Sequence, residues 1–151
     1  MAYSSTKKKS AGIVQISIGI LTVILVVLII AMMMIVSSIQ GTARIVNYSG
    51  LVRGKTQRIV KLEISGKQED DMIQEIESFI DGLMNGNKEL NLVRLEDSDF
   101  QTKMEELNEY FLMLEQEIMQ VRAYGADKTQ ILSKSEHFFE ICDEATGLAE
   151  V

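Results

Sequence analysis

Between Ser10 and Ala43 the chain carries no charged residue, and Gly12 to Val36 is almost wholly apolar. As a helix, those twenty-five residues rise about 37 Å, enough to cross a hydrocarbon core of about 30 Å with some tilt. The apolar part of a cleaved secretory signal spans only about 7–15 residues before a small-residue cleavage site, so an uncleaved anchor is expected instead. Lys7, Lys8 and Lys9 precede the run, and the positive-inside rule places that end in the cytoplasm. The expected layout is a cytoplasmic tail over 1–11, one transmembrane helix over 12–36, and an extracellular domain over 37–151. The protein is then single-pass in the cell membrane, with the lipid bilayer as its first partner.

Charge divides near the same place. All 22 acidic residues follow Leu62, and beyond Ile35 only twelve basic residues stand against them, a net charge of −10. So acidic a domain lacks the basic face that phosphate contacts need, which excludes nucleic acid as a partner. Within it, Arg53, Lys55, Arg58 and Lys61 form a basic island with no acid before Glu63, the one place that favours a small anion.

Several chemistries are excluded by residue count. The single cysteine, Cys142, permits no internal disulfide and no multi-cysteine metal site, and its apolar neighbours predict a buried, inert thiol. His137, the one histidine, stands beside Glu136 with no second ligand at usable spacing and reads as a solvated helix residue. No phosphate-cradling glycine loop, nucleophile elbow or metal-ligand cluster is present. The chain is not expected to be an enzyme or to need a cofactor; any catalysis belongs to an output domain.

The absence of proline and the low aromatic content, 6%, favour long aliphatic helices. The first is expected to run on to about Ser65, stopped by Ser65-Gly66. Glu69-Asp70-Asp71 suits the first turn of a second helix, whose apolar positions are Met72, Ile73, Ile76, Phe79, Ile80, Leu83 and Met84. After Asn85-Gly86-Asn87, Leu90, Leu92, Val93 and Leu95 should tuck a short connection against the bundle. Ser98 and Gln101 have capping-box spacing, opening a third helix with the stripe Phe100, Met104, Leu107, Phe111, Leu114, Ile118 and Val121. Tyr124-Gly125 ends it. Asp127 caps a fourth, carrying Ile131, Leu132, Phe138, Phe139, Ile141, Cys142, Ala145 and Leu148. The fold class is all-α, a transmembrane helix continuing into an antiparallel up-down four-helix bundle. Its last helix should return towards the membrane, as in a two-span receptor whose second span and output domain are absent here.

Asn47 to Leu62 is the stretch with chemistry. At about 100° per residue, Ile45, Tyr48, Leu51, Val52, Ile59 and Leu62 gather on one side as a core face. Val46, Ser49, Gly50, Arg53, Gln57 and Val60 gather roughly opposite. Small residues there allow another backbone to come close, and the arginine between them would take a carboxylate or a small planar anion.

This stretch resembles the first external helix of the sensor domains of nitrate/nitrite sensor histidine kinases and type IV pilus methyl-accepting chemotaxis transducers. Members show an Asn, a small residue and Gly, an Arg three positions on and a second Arg five beyond; here these are Asn47, Ser49, Gly50, Arg53 and Arg58. Asn-Tyr-Ser-Gly, Thr-Gln-Arg and Val-Lys-Leu-Glu resemble the clostridial branch, which precedes histidine kinase or diguanylate cyclase outputs. Gly54 and Lys55 depart from the pattern. The resemblance implies a homodimer with a nitrate- or nitrite-like anion between two copies of Arg53 and with Gly50 at the close approach. Ser49, Gln57 and Arg58 complete the expected ligand-binding set. The expected function is therefore an extracytoplasmic sensor module of a bacterial signal-transduction receptor, passing a helix shift across the membrane; the alternative is a ligand-free dimerisation or partner-docking scaffold. A pilin-like subunit is disfavoured, since no Glu lies within the apolar run and no strand pattern follows it.

Overall fold

The computed structural model describes residues 3–125 and 128–150. Among them lie four helices and no strand: α1 (Tyr3–Ile64), α2 (Asp70–Asn85), α3 (Ser98–Tyr124) and α4 (Lys128–Ala149). The chain divides into two compact units, Met1–Gln40 and Gly41–Val151. In the first, the large apolar side chains from Val14 to Ile39 are exposed, on the one described helix long and apolar enough to cross a membrane.

The second unit is a helical bundle around one core. Its buried residues recur in steps of three and four. In α3 they are Phe100, Met104, Leu107, Phe111, Leu114, Ile118 and Val121, the expected stripe without exception. In α4 they are Ile131, Ser135, Phe138, Cys142, Ala145 and Ala149, with Ile141 alongside. In α1 they are Ile45, Ser49, Val52, Thr56, Ile59 and Glu63, with Val60 alongside. A spacing averaging 3.5 residues keeps one seam of each helix turned inward along its whole length, as in coiled-coil-like bundles.

That seam corrects the two-faced reading of Asn47 to Leu62. The core direction of α1 is turned by roughly 70° from the expected one, towards Ser49 and Thr56. Leu51 is exposed and Leu62 half-buried, whereas Ser49 and Val60, assigned to the outer face, are buried. Polar residues seven apart (Ser49, Thr56, Glu63) form one row of the seam, and Ile45, Val52 and Ile59 form the other. An apolar count alone cannot detect a row of that composition. On α4, Leu132 is exposed, Phe139 and Leu148 are half-buried, and Ser135 and Ala149 take core places.

Local signals set the helix ends. α3 stops at Gly125, which takes a left-handed conformation (φ 63°) and donates its N–H to the Val121 carbonyl at 3.0 Å. The start of α3 differs from the expected capping box. Asp97 is the cap, accepting from the Phe100 N–H at 2.8 Å, while Gln101 donates its side-chain amide back to the Leu95 carbonyl at 2.7 Å. An Asp one residue upstream is the stronger acceptor for the positive helix end. The Asp127 cap lies outside the described residues. In the α2–α3 connection, Asn87 and Leu92 exchange backbone hydrogen bonds, and Leu92 is buried. Val93, expected to pack inward, is exposed because that bridge turns alternate side chains apart.

Glu63, the last polar member of the α1 row, is paired. Arg122 of α3 reaches both of its carboxylate oxygens, Nε to Oε2 at 3.0 Å and Nη2 to Oε1, and binds Asp70 of α2 at 2.6 Å. Only 3% of the Glu63 side chain and 13% of the Arg122 side chain are exposed. Glu63 and Asp70 hold the Arg122 guanidinium charged well above its usual range. Nearby, Lys128 donates to the Ile64 carbonyl at 2.6 Å.

Two predictions follow from the α1 seam. Removing Arg122 strands a buried carboxylate, so Arg122→Met should lower unfolding free energy by about 3–5 kcal/mol, part of it recovered in the Glu63→Gln double variant, by denaturant melts. The buried hydroxyls of Ser49 and Thr56 have no hydrogen-bond partner among the described residues. Ser49→Ala and Thr56→Val should therefore leave the melting temperature unchanged or raise it, because an unpaired buried polar atom costs about 1–3 kcal/mol.

Candidate ligand-binding site

Arg53 leaves α1 on the flank that meets α4. Its guanidinium lies over the ring of Phe139, 4.8 Å from the centroid, and forms an ion pair through Nη1 with Asp143, one turn further along α4. The Arg53 side chain remains 37% exposed and that of Asp143 52%. A pair so open to water contributes about 0–1 kcal/mol, and an exposed stacked guanidinium about 0.5–1 kcal/mol. The arrangement is a charged seat with an aromatic floor and one carboxylate already in place.

Three of the five expected site residues come together. Gly50, Arg53 and Gln57, at steps of three and four, share a half-buried strip of α1. Ser49 does not join them, because the 3.5-residue seam takes it into the core. Arg58 does not either: it lies about 140° around the helix from Arg53, exposed and without an ion pair among the described residues. The basic island is further dispersed by Lys55, which pairs with Glu75 of α2 at 2.6 Å and approaches the Phe79 ring. A Cβ at Gly50 would meet no atom within 4 Å, so nothing inside the unit demands glycine there.

Phe139 and Asp143 were not expected at this site. Their signal was an aromatic and a carboxylate one turn apart on α4, the spacing that presents a stacked and paired seat to a single guanidinium. Between them Cys142 is fully buried, and burial pushes its thiol up to about 12, opposed by the nearby positive charge of Arg53 and reinforced by Asp143. His137 is exposed, with Nδ1 3.1 Å from Glu140 and its ring edge-on to Tyr110. Among the described residues no group of three or more His, Cys, Asp or Glu could hold a metal ion.

The ligand-binding domain of the P. aeruginosa nitrate receptor McpN has this fold, with a TM-score of 0.64 over 71% of this chain and 94% of that one, at 17% identity. At that identity the likeness shows a shared fold. No family model and no curated protein sequence matches the chain.

The Cys142 environment is directly measurable. Ionisation near 12, against an ordinary value of 9.0, leaves roughly a thousandfold less thiolate at pH 8. Alkylation of the folded chain should be slower than that of the urea-unfolded chain by at least that factor. Folding stability should fall as pH climbs from about 9 towards 12, where the unfolded thiol ionises and the folded one does not.

Proposed function

We propose that this chain is the membrane-anchored sensor module of a bacterial signal-transduction receptor, binding a small planar anion at Arg53 where two copies of α1 meet. The observation that carries the reading is the half-exposed guanidinium of Arg53 beside Gly50 and Gln57, in a chain with the fold of a nitrate receptor's ligand-binding domain. Gly50, free of any requirement inside the unit, offers a second copy its close approach. Two guanidinia brought together across a two-fold axis repel, and an anion between them removes the repulsion. Ligand and dimer geometry are then linked, each favouring the other.

The apolar first unit supplies the anchor, its exposed side chains solvated by lipid from Val14 to Val36. Lys7, Lys8 and Lys9 favour a cytoplasmic start and an extracellular bundle. A second reading, a dimerising or partner-docking scaffold without a ligand, is favoured by one contact: Asp143 already neutralises Arg53.

The test is a thermal-unfolding screen of the full chain in detergent micelles against nitrate, nitrite and small carboxylates, with Arg53→Ala alongside. Because the Arg53 pair is exposed, that variant should fold with unchanged helicity. An anion at a hundredfold its dissociation constant stabilises the wild type by about 2.7 kcal/mol and leaves the variant unmoved. A flat screen, with melting that depends on protein concentration alone, would give the scaffold reading instead.

A further inference from the structure

We propose that Asp143 is the built-in competitor of the Arg53 site: a carboxylate of α4 that shares the guanidinium's charge with any incoming anion and is repelled by it, so that occupancy unlatches α4 from α1. The inference rests on the anion reading of Arg53 and adds its selectivity and its output.

Three observations carry it. First, Asp143 is the chemical equal of the ligand sought, a small planar anion, and it is already on the guanidinium. Second, its hold is partial. Its bond uses only Nη1, so Nη2 and Nε have no partner among the described residues, and an anion that takes two donors side by side has a geometric advantage over it. Third, the pair is exposed on both sides and therefore exchangeable, whereas Arg122, gripped by two carboxylates and largely buried, is not.

The consequences are specific. Once an external anion neutralises Arg53, Asp143 loses its counter-charge and, standing next to a negative ligand, is repelled. Phe139 remains as the floor on which the guanidinium stacks. What is lost is the ion pair joining the middle of α1 to α4; Cys142, next to Asp143 in sequence and buried, feels the charge of both partners. The site also discriminates: an anion that binds through one oxygen only gains nothing over the resident carboxylate, so planar bidentate anions are preferred.

The experiment compares wild type, Asp143→Asn and Asp143→Glu as full-length chains in detergent micelles at constant ionic strength, titrated with nitrate, nitrite and acetate. Helicity is checked by circular dichroism, and the alkylation rate of Cys142 is followed in parallel. Removing a competitor worth an exposed ion pair, together with its like charge, should tighten nitrate binding in Asp143→Asn by about three- to tenfold. Asp143→Glu should stay near wild type. Saturating nitrate should speed Cys142 alkylation in wild type by up to about fivefold, the most an exposed ion pair holds back, and the rate in Asp143→Asn should already be raised by that factor and insensitive to nitrate.

Equal or weaker nitrate binding by Asp143→Asn would overturn the competitor while leaving the anion site standing. Tighter binding with a nitrate-insensitive Cys142 in wild type would reduce Asp143 to a charge effect and overturn the latch. If none of the three anions binds either wild type or Asp143→Asn, the anion reading itself fails, and this inference fails with it.

Discussion

A bundle whose inward seams repeat at 3.5 residues must fill every seam position, whatever residue the chain offers there. In this protein α3 offers large apolar side chains throughout, while α1 offers Ser49, Thr56 and Glu63 along half of its seam. Burying that row sets the rotation of α1, and the rotation decides where every other side chain of the helix goes. Ser49 turns inward, Arg58 turns out to solvent, and Arg53 comes to the boundary, where one end of the guanidinium can touch α4 and the other remains open.

The two arginines of the α1 contacts show how burial separates fastening from exchange. Arg122 holds Glu63 bidentately in a largely dry setting and also takes Asp70, which joins α1, α2 and α3 near the end of α1. Breaking that arrangement strands a charge away from water, so it behaves as a fixed joint. Arg53 and Asp143 form the same chemical pair in the open. There, water competes for both partners and salt screens them, so the net hold is small. Under the proposed reading, the similarity in chemistry and the difference in exposure would let one joint stay closed while the other opens.

Much of this fold was legible in the sequence. The C-terminal end of α1, the extents of α2 and α3, the whole α3 stripe and the burial of Cys142 follow from helical spacing, turn residues and charge placement. The rotation of α1 was not legible, because its seam is half polar and the apolar residues Leu51 and Leu62 pull any apolar average the wrong way. A seven-residue repeat of Ser49, Thr56 and Glu63 against Ile45, Val52 and Ile59 was visible in principle, but only once the seam period of α3 is imposed on α1. Of the site, Arg53, Gly50 and Gln57 could be placed together from spacing alone. Asp143 and Phe139 could not, since the partner of a guanidinium ninety residues away depends on which helices are neighbours and in what register.

The mixed seam and the weak pair bear on one another. A small anion can shift a conformational equilibrium only by the difference in its affinity for the two states, and a ligand of a few atoms has little affinity to spend. A sensor for such a ligand therefore needs a contact whose own free energy is small, set in a helix free to respond. Under the proposed function, Arg53 with Asp143 is such a contact. The hydroxyls of Ser49 and Thr56, without a partner among the described residues, lie on seam positions of the same helix and commit it less firmly to its present packing than an apolar row would. Further along, the pairing of Glu63 with Arg122 sets the limit, so any movement of α1 against α4 has a fixed end from which to act.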